Sequence, residues 1–85
     1  MAAYKIFFRK SVKKDFSTIP QKDLNRILQK IESLGNDPRP IGCEKLSGQE
    51  KYRLRQGNYR IIYSIQDYEL TVWVVKIGHR REVYR

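Results

Sequence analysis

Residues able to bind an anion or move a proton collect in the segment 51–85, where basic and apolar side chains alternate. The candidate anion ligands are one lysine and five arginines: Lys51, Arg53, Arg55, Arg60, Arg80 and Arg81. His79 and Tyr84 lie among them and could transfer a proton or stack on a nucleobase. Because a guanidinium matches two phosphate oxygens with parallel hydrogen bonds, this cluster favours a phosphate ligand.

Side chains of these types could cleave RNA without a metal ion. The substrate's 2′-hydroxyl would attack the adjacent phosphorus while the protein accepts its proton, stabilises the added charge and protonates the leaving 5′-oxygen. Other site classes have less support. Asp67, Glu69 and Glu82 are too scattered for a paired-carboxylate hydrolase, and one cysteine with one histidine excludes a Cys/His zinc site. No nucleotide-binding glycine loop is present, and no cofactor is indicated.

Each candidate also has a purely structural interpretation. Arg53 and Arg55 could lie on the solvent face of an edge strand, where charge blocks edge-to-edge pairing. Arg60 could form an exposed ion pair, which contributes little. His79 could be a turn residue and Tyr84 a packing residue that holds the chain end. The residues alone leave these alternatives open.

The arginines need a sheet to bring them together. The sequence Tyr52-Arg53-Leu54-Arg55 alternates at period two, so both arginines share one face of a strand. Gln56-Gly57-Asn58 predicts a tight turn that returns Arg60 to the neighbourhood of that pair. The mostly apolar segments 59–66 and 70–77 predict two further strands, giving an antiparallel meander.

The upstream half predicts one more strand and two helices. Tyr4–Phe8 is aromatic and β-branched, and Val12 and Phe16 share one face of a short helix. A longer helix runs to about Leu34, with Thr18 as its capping residue and an apolar stripe at helical spacing. The predicted fold is one α+β domain over residues 1–85, of order β-α-α-β-β-β. Its curved, mostly antiparallel four-stranded sheet carries both helices on one face.

The charge indicates an anionic partner. The chain has 18 Lys+Arg against 9 Asp+Glu, a formal net charge of +9. Such an excess favours nucleic acid, an acidic protein or an anionic surface, although a merely soluble basic surface is the plain alternative. No signal peptide or membrane span is indicated, so the expected compartment is the cytoplasm.

Several segments carry a resemblance to a known family. The chain is similar to the RelE toxins of the RelE/ParE superfamily of toxin–antitoxin pairs, over nearly its whole length. The segments that carry this likeness most strongly are Lys45-Leu46-Ser47-Gly48, Tyr52-Arg53-Leu54-Arg55, Gly57-Asn58-Tyr59-Arg60-Ile61-Ile62-Tyr63 and Ile77-Gly78-His79-Arg80-Arg81-Glu82-Val83-Tyr84.

The resemblance implies a ribosome-dependent endoribonuclease that cuts the mRNA codon in the A site. In such toxins basic residues of the second and third strands hold the scissile phosphate, a role that falls here to Arg53, Arg55 and Arg60. An arginine after the last strand is the general acid or charge stabiliser, here Arg80, and a tyrosine is the general base, here Tyr84. One RelE toxin has lysines in place of Arg53 and Arg55, and the spacing from Arg80 to Tyr84 is shorter in this chain. Some relatives use a histidine, which gives His79 a possible part.

The same resemblance implies partners: a RelB-like antitoxin that is acidic and largely helical, and the ribosomal A site with its mRNA. Two other functions share the fold. A ParE-type protein poisons DNA gyrase by protein contact, and a catalytically inactive module would only bind RNA or a partner. Arg53, Arg60, Arg80 and Tyr84 together favour the nuclease.

Overall fold

The structure is a computed structural model that describes residues 3–48 and 50–79. Its elements in chain order are β1 (Lys5–Phe8), α1 (Lys10–Phe16), α2 (Gln21–Ser33), β2 (Glu44–Lys45), β3 (Lys51–Gln56), β4 (Tyr59–Gln66) and β5 (Thr71–His79). Within these residues the strands form a five-stranded sheet of order β1-β5-β4-β3-β2. β1 runs parallel to β5, whereas the other neighbouring strands are antiparallel.

The predicted α+β fold with a mostly antiparallel sheet is confirmed, but the prediction of four strands is wrong. The additional strand is β2, in which Glu44 pairs with Arg53 and Lys45 with Tyr52. The backbone N–H of Leu46 then donates to the carbonyl of Lys51 at 2.8 Å. A strand of two residues is too short to leave an alternating pattern in the sequence, so only its pairing with β3 reveals it.

The apolar stripe of α2 is the helical side of the core, as predicted. Ile27, Ile31 and Leu34 are buried, and they belong to the same cluster as Leu54 and Ile61 of the sheet. Burying one such side chain contributes roughly 1.5–3 kcal/mol relative to leaving it exposed. The position of this face therefore fixes which side of β3 and β4 turns inward and which side stays open.

Helix α1 closes an open edge of the sheet. β1 ends at Phe8, opposite Val74, so the rest of β5 has no strand beside it on that edge among the described residues. The carboxylate of Asp15 accepts a hydrogen bond from the backbone N–H of Ile77 at 3.1 Å and pairs with the ammonium of Lys76 at 3.2 Å. The Asp15 carboxylate therefore accepts the hydrogen bond from the Ile77 N–H that a neighbouring strand would otherwise accept.

The predicted start of α2 is wrong in detail. Thr18 does not cap this helix, because its hydroxyl donates to the carbonyl of Asp15 at the end of α1, at 2.9 Å. Pro20 occupies the N-cap position, and no side chain caps the helix there. Asp23 in the first turn supplies the negative charge that favours a helix N-terminus. Neither α1 nor α2 is long and apolar enough to cross a membrane.

The cross-strand register defines a second, open face of the sheet. Residues directly opposite each other in neighbouring strands point to the same side. Arg55 lies opposite Arg60, and Arg53 lies opposite Ile62, so these four residues share one face. The residues between them, such as Leu54 and Ile61, belong to the buried cluster on the helix side. We call the side of the sheet away from the α2 core, which bears Arg53, Arg55, Arg60 and Ile62, the open face. Arg60 and Ile62 are nevertheless buried, at 5% and 8% exposure.

Candidate functional site

A tight hairpin between β3 and β4 brings arginines together at one end of the open face. Its turn places Gly57 at φ 59°, a left-handed conformation that glycine adopts without steric cost. Arg55 and Arg60 are then direct cross-strand partners. Like charges in this position repel each other, which disfavours the free hairpin. An anion between the two guanidiniums would remove that cost.

The arginines line a groove of about 440 Å³ beside the outer edge of β3. β2 pairs only with Tyr52 and Arg53, so the edge of β3 beyond Arg53 has no strand beside it among the described residues. The groove lies there, with basic side chains from both strands and from α2. Its lining residues are Lys30, Ile41, Gly42, Glu44, Arg53, Leu54, Arg55 and Arg60. Four basic side chains face one carboxylate, so the groove suits a phosphate. We call it the arginine groove.

Glu44 holds one of the groove's cations. Its Oε2 accepts a hydrogen bond from Nη2 of Arg53, its neighbour across the β2–β3 ladder. The side chain of Arg53 is 23% exposed, whereas that of Glu44 is 66% exposed. The carboxylate orients the guanidinium, and it also competes with any phosphate that approaches Arg53.

Among the described residues, Arg60 is the only charged residue that is buried, at 5% exposure. Its Nη1 donates to the carbonyl of Tyr59 at 3.3 Å, and its strand position lies between Arg55 and Gly78. Arginine is rarely buried to this extent unless it is paired. A fixed, partly desolvated guanidinium interacts more strongly with an anion than a solvated one does.

The other predicted site residues are distributed differently. Lys51 lies at the far end of β3, opposite Ser64, and does not line the groove. His79 lies opposite Tyr59, with the two rings 5.8 Å apart edge to face, so its register puts it on the helix side at the same end of the sheet. Arg80, Arg81 and Tyr84 fall outside the described residues, and their predicted roles stay predictions.

Sequence reasoning missed two charged residues of the groove, Lys30 and Glu44. Lys30 lies on the outer part of α2, where a lysine normally marks only a solvated helix face. Glu44 comes from β2, the strand that the four-strand prediction did not include. No spacing within the sequence connects either residue to the β3–β4 hairpin, because their proximity depends on how the helix and β2 pack against it. Within residues 3–48 and 50–79, no three His, Cys, Asp or Glu side chains lie together as metal ligands would.

A hydrogen-bonded cluster around Arg39 supports the wall of the groove. Arg39 donates two hydrogen bonds to Asp67, at 2.9 and 3.2 Å, and one to the hydroxyl of Tyr52 at 3.2 Å. The hydroxyl of Tyr4 donates to the same carboxylate at 2.8 Å. We call Tyr4, Arg39, Tyr52 and Asp67 the Arg39 clasp. It ties the segment that continues into Ile41 to the sheet and to the turn after β4.

The electrostatics of the clasp follow from these contacts. Hydrogen bonds from Arg39 and Tyr4 hold the pKa of the Asp67 carboxyl below its usual value. The hydrogen bond to Asp67 raises the pKa of Tyr4. Below the clasp, burial raises the pKa of Tyr63, whose hydroxyl donates to the carbonyl of Pro38 at 2.8 Å. Two anchors therefore hold the segment that leads to the groove.

Comparison with known proteins identifies the family. The family model for the ParE toxin of type II toxin-antitoxin systems, parDE, matches residues 6–84. The chain belongs to this toxin family. Toxin RelG of Mycobacterium tuberculosis is 27% identical to it over 86 residues, which cover 96% of this chain and 97% of RelG. The superfamily resemblance drawn from the sequence is therefore confirmed.

Solved structures of toxins agree with this assignment. A chain of the archaeal RelE–RelB complex from Pyrococcus horikoshii superimposes with a TM-score of 0.83 at 28% identity, covering 96% of this toxin and 99% of that chain. The isolated RelE toxin of E. coli superimposes with a TM-score of 0.79 at 25% identity, covering 96% and 92% of the two chains. This toxin thus has the fold of RelE as well as its sequence pattern.

Proposed function

We propose that this toxin is an endoribonuclease that cuts mRNA in the ribosomal A site. The observation that carries the proposal is the convergence of Lys30, Arg53, Arg55 and Arg60 on one groove. Four cations around one cavity suit the scissile phosphate and the charge that builds up on it in the transition state. The resemblance to RelE toxins implies an RNA substrate rather than another phosphate compound, and the relatives that match the chain are RelG and RelE toxins.

The proposed reaction needs no metal or cofactor. Arg53 and Arg55 bind the phosphate, and Arg60 stabilises the added negative charge from its fixed, buried position. Tyr84 removes the proton of the 2′-hydroxyl, which attacks the adjacent phosphorus and displaces the 5′-oxygen. Arg80 stabilises or protonates that leaving oxygen, with Arg81 adding positive charge and His79 available as a second proton donor. The products are a cyclic phosphate and a free 5′-hydroxyl.

The proposed partners are an antitoxin and the ribosome. The archaeal neighbour is the toxin of a RelE–RelB complex, which supports a RelB-like antitoxin for this chain as well. An acidic, largely helical antitoxin would match the net charge of +9. The ribosome would orient the mRNA, so the free toxin would cleave slowly. A toxin that acts on ribosomes would work in the cytoplasm.

Mapping of mRNA 5′ ends after induction in cells tests this function. We expect cuts within translated codons that disappear when translation is blocked. Arg80→Ala and Tyr84→Phe should each abolish most of the cuts while antitoxin binding is retained. Intact mRNA in cells that express the folded wild-type toxin contradicts the proposal.

One observation favours a second candidate. The family model that matches is described as the ParE toxin of parDE systems, and ParE-type proteins poison DNA gyrase by protein contact. A gyrase poison needs no phosphate groove, so Arg55→Ala would leave its toxicity unchanged. DNA breaks together with intact mRNA would favour gyrase, whereas absence of both would leave only a binding module.

A further inference from the structure

An aromatic pair stands on the open face, away from the arginine groove. The rings of Phe7 and Trp73 stack with centroids 5.0 Å apart and an interplanar angle of 25°. The guanidinium of Arg9 lies 5.1 Å from the centre of the Trp73 ring. Neither aromatic ring belongs to the buried core, and Phe7 is 40% exposed. A single exposed phenylalanine is common on protein surfaces, so the groups around Phe7 decide whether its surface binds a partner.

The position of Phe7 leaves one side of its ring open. β1 is an edge strand, so no other described strand lies beyond it on that side. Among the described residues, Trp73 is the only ring that stacks on Phe7. Trp73 is fixed in turn by the backbone of β5 and by Arg9. The outer surface of Phe7 is therefore a flat apolar surface with a rigid support behind it.

Cations flank this surface along the strand. Lys5, Phe7 and Arg9 alternate at period two, so their side chains leave the strand on the same face. Lys5 and Arg9 are exposed and lie roughly 13 Å apart at about 3.3 Å per residue. A nucleobase on Phe7 would thus have a positive charge for the phosphate on either side. Combined stacking and phosphate contacts are how sheets bind single-stranded RNA.

The register connects this surface to the groove across one face. Phe7 is opposite Trp73, which is opposite Ser64, which is opposite Lys51. From strand spacings of about 4.8 Å and the rise along β4, Phe7 lies roughly 15 Å from Arg60. At about 3.4 Å per nucleotide, as in one strand of a duplex, that span corresponds to about four or five nucleotides.

We propose that the outer surface of Phe7, supported by Trp73 and flanked by Lys5 and Arg9, stacks on a base of the single-stranded RNA whose phosphate lies in the arginine groove. This inference rests on the proposed RNA substrate and adds a second contact to it. The charge around Phe7 favours RNA over an uncharged partner, and the flat aromatic surface favours a base over a carboxylate-bearing helix. We call this outer surface of Phe7 the platform. It does not distinguish one base from another, since every base has a π-face.

Trp73 provides the measurement, because it is the only tryptophan of the chain. We titrate the full toxin with a 2′-O-methyl oligoadenylate, which cannot be cleaved, and with an abasic oligomer of equal length and charge. The oligoadenylate should quench the Trp73 fluorescence, whereas the abasic oligomer should bind without quenching it. Phe7→Ala should weaken oligoadenylate binding by about fivefold or more and leave abasic binding unchanged.

Matched variants separate stacking from other effects. Phe7→Tyr should bind like the wild type, whereas Phe7→Leu keeps apolar volume without a π-face and should behave like Phe7→Ala. Tyr68→Ala removes a fully exposed aromatic residue that stacks on no other ring among the described residues, and it should have no effect. Circular dichroism checks that each variant is folded. Equal weakening for both oligomers, or wild-type binding by Phe7→Leu, overturns the platform.

Two further outcomes keep this inference distinct from the nuclease. If mRNA is not cut in cells but oligoadenylate still quenches Trp73 and needs Phe7, the platform stands and the nuclease proposal fails. If mRNA is cut and Phe7→Ala binds oligoadenylate normally, the platform alone fails. Loss of antitoxin binding by Phe7→Ala, with unchanged oligoadenylate binding, assigns the surface to the antitoxin and also overturns the inference.

Discussion

Arg39 and Arg55 are both exposed arginines, yet they have opposite kinds of neighbours. Arg39 binds Asp67 through two hydrogen bonds, a third goes to Tyr52, and its guanidinium lies over the Tyr52 ring. Arg55 faces Arg60 across the ladder. Among the described residues, Arg55 forms neither a hydrogen bond through its side chain nor an ion pair. Among the described residues, one arginine has its anion within the fold, whereas the other has none.

This difference separates structural from functional charge. The net charge of +9 counts both arginines equally, so composition alone does not distinguish them. In the Arg39 clasp, the carboxylate of Asp67 pairs with the guanidinium of Arg39, and this pair holds the segment beside the groove. The arginine groove concentrates cations around a cavity with a single carboxylate. An external anion that enters the groove would lower the repulsion among those cations.

The strongest test exchanges one exposed arginine from each region for alanine. Arg55→Ala should lower the rate of mRNA cleavage on programmed ribosomes by about 10²-fold or more, the usual cost of removing a charge-stabilising donor. Arg39→Ala should lower it by less than about tenfold, through displacement of the groove wall. Arg55→Lys keeps the positive charge but loses the planar guanidinium. Its cleavage rate should lie between those of Arg55→Ala and Arg39→Ala. Equal losses in the two alanine variants would mean that the groove has no special role.

The second test concerns the stability of the clasp region. Tyr63→Phe removes the buried hydroxyl that donates to the carbonyl of Pro38 and leaves that acceptor without its partner. The free energy of unfolding should fall by about 1–3 kcal/mol in urea denaturation. Tyr68→Phe, at a fully exposed position, should change it by less than about 0.5 kcal/mol. If Tyr63→Phe left the free energy of unfolding unchanged, the segment would be held by Arg39 alone.

The sequence predicted the arginines of the hairpin because their proximity is local. Period-two alternation placed Arg53 and Arg55 on one face, and a turn centred on Gly57 returned Arg60 to them. Helical spacing likewise predicted the buried stripe of α2. These features depend on residues within one element or one turn, where steric and hydrophobic periodicity decides the outcome.

The parts that sequence reasoning missed depend on distant contacts. Glu44 meets Arg53 only because a two-residue strand pairs with β3. Thr18 was expected to start α2, but the carbonyl of Asp15 at the end of α1 competes for its hydroxyl. Arg39 and Asp67 are separated by 28 positions and meet through the fold. The sequence does not show which of two possible hydrogen-bond partners a short polar side chain such as that of Thr18 will bind.

The third test removes the internal competitor from the groove. Glu44→Gln removes the negative charge that competes with phosphate for Arg53, so affinity for the 2′-O-methyl oligoadenylate should rise about three- to tenfold at low salt. The salt dependence should steepen by roughly 0.7 in log–log slope, as for one more phosphate contact on a single strand. Glu69→Gln makes the same charge change at an exposed turn position and is the matched control. Equal gains in both variants would indicate a general charge effect rather than release of Arg53.

The smallest expected effect is the pH dependence of the clasp. The pKa of Asp67 is lowered, chiefly by its hydrogen bonds from Arg39. A carboxyl with a lowered folded pKa stabilises the protein above its unfolded value of about 3.9, and this contribution is lost as pH falls through the folded value. Asp67→Asn should therefore lower the Tm slightly at neutral pH, and the difference from wild type should shrink below about pH 4.

Thermal unfolding followed by circular dichroism checks this from neutral to acid pH, with Glu69→Gln as the control for loss of one exposed carboxylate. Protonation of Asp67 removes the anion but leaves an oxygen that still accepts the hydrogen bond from Tyr4. If the Tm difference stayed constant to low pH, the negative charge of Asp67 would not be its cause. Arg39 would then be held without ionic pairing, and the contrast with Arg55 would rest on geometry alone.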